Sequence, residues 1–148
     1  MLNFNNYLIS KDILVKQILI NKYNIFTKIF SDASKRFGKV KINNCDLYML
    51  TYQQKNIGCI LVNTKPNINI YLKYNIRPKY GITWFYIEPK YRSNNYGKKF
   101  FAYILQKYNN ICLKTDNSYA NKAAFHLYKK YKFKQIHTKN NKTYWFKK

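Results

Sequence analysis

The sequence predicts an α/β (α+β) fold, folded as one domain over residues 1–148, and three observations carry that expectation. Several short runs rich in β-branched and aromatic residues have the length and composition of strands, the clearest being residues 82–87. Two later segments bring apolar residues back at helical spacing. In one these are Phe100, Phe101, Ile104, Leu105 and Tyr108, and in the other Ala120, Ala123, Ala124, Leu127, Tyr128 and Tyr131. At 148 residues the chain is near the commonest single-domain size and can bury a proper core.

In order along the chain, residues 2–9 have the composition of a first strand. Ser10 can cap a helical region behind it, in which Ile13, Leu14, Ile18, Leu19, Ile25, Phe26, Ile29 and Phe30 supply the apolar positions. Residues 32–38 break that pattern. Residues 47–52 and 57–62 read as an antiparallel hairpin around Gln53-Gln54-Lys55-Asn56, and the Asn- and Pro-rich residues 63–69 as a loop. Residues 71–76 suit a further strand before Arg77-Pro78. The aromatic strand that follows stops at Pro89, which lacks the N–H that a ladder needs. A helix opens near Gly97, a short strand covers 111–115, and the alanine-bearing helix comes next. Residues 135–138 and 143–146 close the chain as a hairpin around Lys139-Asn140-Asn141, with no internal repeat and no linker anywhere.

The stretch Ile87-Glu88-Pro89-Lys90-Tyr91-Arg92-Ser93-Asn94-Asn95-Tyr96-Gly97 joins the aromatic strand to the first clear helix. A helix N-terminus leaves backbone N–H groups without partners and carries partial positive charge. A pyrophosphate placed there gains hydrogen bonds and dipole attraction together. Lys98 and Lys99 strengthen the field. The same spacing also fits an ordinary strand-to-helix connection with a glycine for close packing, so the loop alone leaves both readings open.

A second segment, Asn121-Lys122-Ala123-Ala124-Phe125-His126-Leu127-Tyr128-Lys129-Lys130-Tyr131-Lys132-Phe133, lies downstream. The two together resemble the GNAT-type N-acetyltransferase superfamily. There the first segment reads Val-x-Pro-x-Tyr-Arg-x-x-Gly-x-Gly and the second Asn-x-x-Ala-x-x-Leu-Tyr-x-x-x-Gly-Phe. Ile87, Pro89, Tyr91, Arg92 and Gly97 match the first, and Asn121, Ala124, Leu127, Tyr128 and Phe133 the second. Asn95 stands where the family has its first loop glycine, and Lys132 stands for the glycine before the final Phe. Asparagine reaches left-handed backbone angles more easily than most residues, whereas lysine is a less comfortable replacement. The specific resemblance spans residues 81–133, and the flanks agree in element order.

The resemblance implies a central, mixed, mostly antiparallel twisted sheet of about six to seven strands flanked by about four helices. It further implies acetyl-CoA as co-substrate and acetyl transfer to an amine by direct attack. The pyrophosphate would rest on Arg92, Ser93, Asn94, Asn95, Tyr96, Gly97 and Lys98. The backbone of Phe85, Tyr86 and Ile87 would meet the pantetheine arm, with an N–H there as oxyanion donor. Tyr128 matches the position of a common general acid, and a phenol with an ordinary pKa near 10 is protonated at neutral pH and can donate. Its place on the stripe with Leu127 and Tyr131 equally suits plain packing. Asn121 matches a cofactor-contacting position and also suits a helix-entry cap.

Several family members carry a glutamate base at the position that aligns with Gly81, and this chain has no carboxylate at Gly81, Ile82 or Thr83. Glu88 lies at the phosphate end and suits orientation of the loop. Asp116, at the end of its strand, is the better candidate base, and an Asp there can also cap the following turn. His126 falls on the polar side of its helix. An α-amine with a pKa near 8 needs little help to be neutral, whereas a lysine amine near 10.4 needs more.

Charge bears on the acceptor. The chain has 28 Lys+Arg against 5 Asp+Glu, a formal +23. AT-rich codons account for much of the Lys, Asn, Ile, Tyr and Phe, as in an AT-rich viral or phage genome, but they do not exclude acids. A field this positive concentrates anions such as acetyl-CoA, RNA or another polyanion and disfavours polyamines and basic tails. An amine on an anionic carrier fits, with aminoacyl-tRNA and a protein as the two examples. The alternative is a catalytically silent member of the fold that binds nucleic acid or belongs to a virion. Cys45, Cys59 and Cys112 are odd in number and widely spaced, which suits reduced thiols in a cytoplasmic protein, and no metal site is expected. No apolar run approaches the about 20 residues that span a bilayer, and the N-terminus lacks the pattern of a secretory signal. Oligomeric state stays open.

Overall fold

The computed structural model describes residues 6–18, 44–118 and 122–148. Its elements run β1 (Asn6–Ser10), β2 (Ile13–Ile18), β3 (Cys45–Tyr52), β4 (Lys55–Asn63), a short α1 (Asn69–Leu72) and β5 (Tyr80–Ile87). A 3-10 turn (Pro89–Tyr91) leads to α2 (Tyr96–Lys107), β6 (Ile111–Asp116), α3 (Lys122–Lys130), β7 (Lys134–Lys139) and β8 (Lys142–Lys147). The strands form one sheet in the order β1-β2-β3-β4-β5-β6-β8-β7. Every neighbouring pair is antiparallel except β5 and β6. That parallel pair needs a crossover, and α2 supplies it. The mixed, mostly antiparallel sheet matches the expected class. Among the described residues it has eight strands and three helices, against the six to seven strands and four helices expected.

The central strands are apolar on both faces because both are buried. On one face Ile13, Val15, Tyr48, Leu50, Ile60 and Trp145 join Phe100, Phe101 and Ile104 of α2 and Tyr128 of α3. On the other, Leu47, Met49, Cys59, Leu61, Trp84 and Tyr86 form a second cluster. The period of two within β3 sends Leu47 and Met49 to one cluster and Tyr48 and Leu50 to the other. Each large apolar side chain so buried contributes about 1.5–3 kcal/mol. None of the three cysteines is in a disulfide; burial pushes Cys59 up to about 12 and Cys112 up to about 11.

Two expectations are corrected. The helical region after Ser10 begins instead as β2, which pairs with β3 from Ile13↔Tyr52 to Ile18↔Leu47. Ile13, Leu14 and Val15 are too short a run to distinguish a period of two from one of 3.6, and the cross-strand partner decides. Asp12, at φ 66°, closes the β1–β2 hairpin. Leu19, Ile25, Phe26, Ile29, Phe30 and the break at 32–38 lie outside the described residues.

The strand expected over 71–76 is replaced by α1 and its following turn. Local bonds close that turn, Tyr74 N–H to Tyr71 O, Asn75 N–H to Leu72 O and Ile76 N–H to Tyr71 O. Tyr71 is drawn inward, its hydroxyl 3.1 Å from the Leu113 carbonyl oxygen and 3.0 Å from that of Trp145. Both expected hairpins form with tighter turns than read: Gln53 and Gln54 have φ 46° and 67°, and Asn140 and Asn141 have φ 51° and 63°. Two successive left-handed residues match the right-handed twist of the flanking strands.

Candidate active site

The site begins where β5 and β6 stop pairing. Their ladder holds only Tyr80↔Ile111, Gly81↔Cys112 and Ile82↔Leu113. Residues 83–87 continue along β4 but have no strand partner on the β6 side among the described residues. A bulge coincides with the parting: β4 pairs Leu61↔Trp84 and Val62↔Ile82, which leaves Thr83 as the extra residue. Bulges bend a strand and end pairing, and this one falls next to the last residue of the β5–β6 ladder. Gly58 fixes the end of β5 from the other side. A Cβ there would lie 2.6 Å from Ile87 Cδ1 and 2.7 Å from the Tyr86 carbonyl oxygen, so only glycine lets β4 lie this close.

The loop after β5 is held by a backbone bond to β4 and by Arg92. The Glu88 N–H donates to Ile57 O at 2.8 Å. The exposed Arg92 donates through Nε to the Ile87 carbonyl oxygen at 2.7 Å, and its guanidinium lies 5.5 Å from the Tyr86 ring centroid. The Ile87 carbonyl is therefore already engaged, and the stretch of β5 beyond the β6 ladder runs from Thr83 to Ile87. Asn94 Nδ2 donates to Arg92 O at 3.2 Å.

Ser93 and Asn95 take left-handed φ values of 65° and 63° with Asn94 outside that region between them. Such alternation turns successive N–H groups toward one concavity, an arrangement suited to anions. Asn95 is the N-cap of α2 yet makes no side-chain cap bond, and the first turn holds no acidic residue. Lys98 and Lys99, both exposed, place positive charge at the positive end of the helix, which costs about 0.3–1 kcal/mol each. A bound phosphate group would relieve that repulsion and take the uncapped N–H groups. At Gly97 a Cβ would sit 3.5 Å from Phe85 Cζ and 3.6 Å from Ile87 Cγ1, ordinary contact distances. The protein's own packing thus does not require glycine there. Tyr96 lies half-buried and stacks on Tyr52 at 6.3 Å.

Tyr128 is locked by rings. Its centroid lies 5.6 Å from Phe101, 5.8 Å from Phe133 and 5.6 Å from Trp145. Phe101 in turn stacks on Phe85 of β5, beyond the β6 ladder, at 5.5 Å, and Trp145 Nε1 donates to Thr115 Oγ1 of β6 at 2.9 Å. These contacts fix Tyr128 beside the place where β5 and β6 part. Among the described residues its hydroxyl has no hydrogen-bond partner, and no buried side-chain polar atom there is unsatisfied, so the oxygen lies at accessible surface. Burial pushes the phenol up to about 12, which keeps it protonated.

The backbone around Tyr128 is equally fixed. The Phe133 N–H donates to Tyr128 O and the Lys132 N–H to Lys129 O, with Lys132 at φ 66°. That is a Schellman end to α3, with the Phe133–Tyr128 ring contact as its hydrophobic clasp. Both positions where the resemblance expects glycine, Asn95 and Lys132, thus hold left-handed backbone.

The other sequence candidates separate. Asp116, exposed at the end of β6, accepts the Ser118 N–H at Oδ1 over 2.7 Å, the turn-capping role. Asn121 lies outside the described residues. At Gly81 a Cβ would meet Pro66 Cβ at 3.0 Å and Cys112 Sγ at 3.5 Å, so a side chain where the resemblance expects a base would press on the 63–69 loop. His126 is exposed. Among the described residues no group of three or more His, Cys, Asp or Glu could hold a metal ion, and no helix is long and apolar enough to cross a membrane.

Sequence reading missed Thr83 as the bulge, Ser93 as a left-handed residue, and Phe101 and Trp145 as the walls that hold Tyr128. An aromatic at 101 and 145 looks like any core residue, and a bulge leaves no mark in one strand's composition.

Comparison with the curated proteins found no match. Among solved structures, PH1933 from Pyrococcus horikoshii is 21% identical over 84% of this chain and 72% of its own, with TM-score 0.57. A GNAT family acetyltransferase from Elizabethkingia anophelis, solved with acetyl-CoA bound, is 13% identical over 93% and 97%, with TM-score 0.63. The ribosomal-protein-S18-alanine N-acetyltransferase from Escherichia coli is 12% identical over 90% of each chain, with TM-score 0.60. At these identities the likeness is one of fold. The family model described as "Acetyltransferase (GNAT) family" matches residues 17–133, most of the chain and both motifs, and the chain therefore belongs to that family.

Proposed function

We propose that the protein transfers an acetyl group from acetyl-CoA to an amine by direct attack, with the amine on an anionic carrier such as an aminoacyl-tRNA or a protein. The parting of β5 and β6 beyond Ile82↔Leu113, beside the uncapped α2 N-terminus, carries the reading. A sheet that opens beside a helix N-terminus suits an extended arm along β5 and an anion at one end of it. The structural neighbour with acetyl-CoA bound supports the donor, and the neighbour named for a ribosomal-protein alanine supports an amine acceptor.

The amine nitrogen would attack the thioester carbonyl, forming the C–N bond. A backbone N–H of β5 beyond the β6 ladder would take the charge that develops on the oxygen. As the C–S bond breaks, Tyr128 would protonate the leaving sulfur and recover its proton from solvent, while the amine loses its own to Asp116 or to water. A low-pKa α-amine asks least of a base, which suits a site where a side chain at Gly81 would press on Pro66.

Mass spectrometry of RNA and protein after incubation with labelled acetyl-CoA identifies the acceptor. Tyr128→Phe should lower transfer at least about a hundredfold, and unchanged turnover would remove Tyr128 from the mechanism. A second reading, a family member that binds nucleic acid without chemistry, draws on the same crowding at Gly81. No labelled product from any RNA or protein fraction would favour it.

A further inference from the structure

The face of β6, β8 and β7 turned away from α2 and α3 is a second surface of distinct chemistry. Leu113, Thr143 and Trp145 are buried. Strand alternation therefore sends their neighbours to the opposite face. Cross-strand register sets Lys114, Tyr144 and His137 in one row there, and Asp116, Lys142 and Lys139 in the next. Tyr74, beyond α1, joins the first row: its hydroxyl lies 2.7 Å from His137 Nδ1 and its ring centroid 5.8 Å from the imidazole. His137 continues to the Tyr144 ring at 5.9 Å, and Lys114 Nζ lies 6.0 Å from that ring's centroid. Tyr74 is 47% exposed, and Lys114, Lys139 and Lys142 are exposed too.

We propose that this face binds single-stranded nucleic acid. Bases stack on aromatic side chains whatever their sequence, and lysines around the rings follow the phosphates. Three contiguous rings, Tyr74 exposed and His137 and Tyr144 half-buried, the last also against Tyr71 of α1 at 6.1 Å, stand among three exposed lysines and the carboxylate of Asp116 and supply both parts. An acidic peptide would use the lysines and leave the rings without a role. The formal charge of +23 favours the approach of any such strand. The inference names the carrier in the proposed function as a nucleic-acid strand, and rests on that reading only for the link to chemistry.

Fluorescence anisotropy with a labelled unstructured oligouridine of about 12 nucleotides, across a salt series, tests it. Tyr74→Ala leaves the charge unchanged and should weaken binding about fivefold or more, whereas Tyr74→Phe keeps the ring and most of the affinity. Lys114→Gln with Lys142→Gln should lower the slope of log affinity against log salt by about 1.4, and Lys129→Gln with Lys130→Gln, on α3, should leave it nearly unchanged.

Equal effects of the two lysine pairs would overturn the proposal. So would wild-type affinity in a folded Tyr74→Ala, or displacement by polyglutamate as effective as by unlabelled RNA, the mark of an acidic-protein surface. Acetyl-CoA titration of the same variants keeps the readings apart. RNA binding without acetyl-CoA binding would refute the proposed function and support this face; acetyl-CoA binding with no RNA binding at low salt would do the reverse.

Discussion

Replacing Lys132 by glycine should stabilise the fold, although it deletes a side chain. Lys132 is the residue after α3 whose φ of 66° closes the Schellman end, with the Phe133 N–H on the Tyr128 carbonyl. A side chain with a Cβ costs about 1–2 kcal/mol in that region. Glycine removes the cost but gives back about 0.5–1 kcal/mol through its freer unfolded state. The net gain is about 0.5–1 kcal/mol, or a rise in Tm of about 1–4 °C at this size. Lys132→Ala is the control. It removes the same positive charge but keeps the Cβ, so it should gain little. Urea and thermal unfolding of the three proteins measure the difference. A glycine variant less stable than wild type, or an alanine variant as stable as glycine, would refute the backbone argument and leave charge repulsion as the cause.

Gly58→Ala should destabilise by about 1–3 kcal/mol in urea unfolding, because its Cβ would press on the Tyr86 carbonyl oxygen at 2.7 Å, and backbone cannot turn aside. Gly97→Ala, with nearest contacts of 3.5 and 3.6 Å, should melt within a few degrees of wild type. Tyr128→Phe should change stability at neutral pH by less than about 0.5 kcal/mol, since the ring contacts remain. At alkaline pH the two proteins should diverge. Burial holds the Tyr128 phenol at about 12 in the folded chain against about 10 unfolded, so this stabilisation is complete below pH 10 and is lost as pH rises toward 12. Unfolding followed across pH 9–11.5 should show the wild type losing stability faster than Tyr128→Phe, and parallel curves would contradict the burial argument.

The β5–loop–α2 unit was legible because its signals are local. Residues 82–87 are β-branched and aromatic, Pro89 ends the ladder, and Phe100, Phe101 and Ile104 recur at helical spacing and are buried in the core. Asn95 was legible for the same reason, being a residue that tolerates the left-handed angle it adopts. What failed depends on partners distant in sequence. Ile13, Leu14 and Val15 became a strand because β3 lies beside them. Tyr71 and Tyr74 left the strand pattern because the Tyr71 hydroxyl reaches carbonyls of β6 and β8. The candidate site divides similarly: the turn before α2 and the stripe that carries Tyr128 could be read from the sequence, with their roles implied by the resemblance alone, whereas the bulge at Thr83 and the Pro66 contact at Gly81 exist only in the folded sheet.

The central claim is that the parted edge of β5 and the bare first turn of α2 together hold acetyl-CoA. Isothermal titration of acetyl-CoA into the wild type and the folded Lys98→Glu, which sets a carboxylate on the first turn of α2, tests it most directly. The account predicts one-to-one binding by the wild type and a loss of about tenfold or more in the variant, since the new charge repels the phosphates that the helix end would hold. No binding by the wild type at low salt, or equal binding by both proteins, would contradict it.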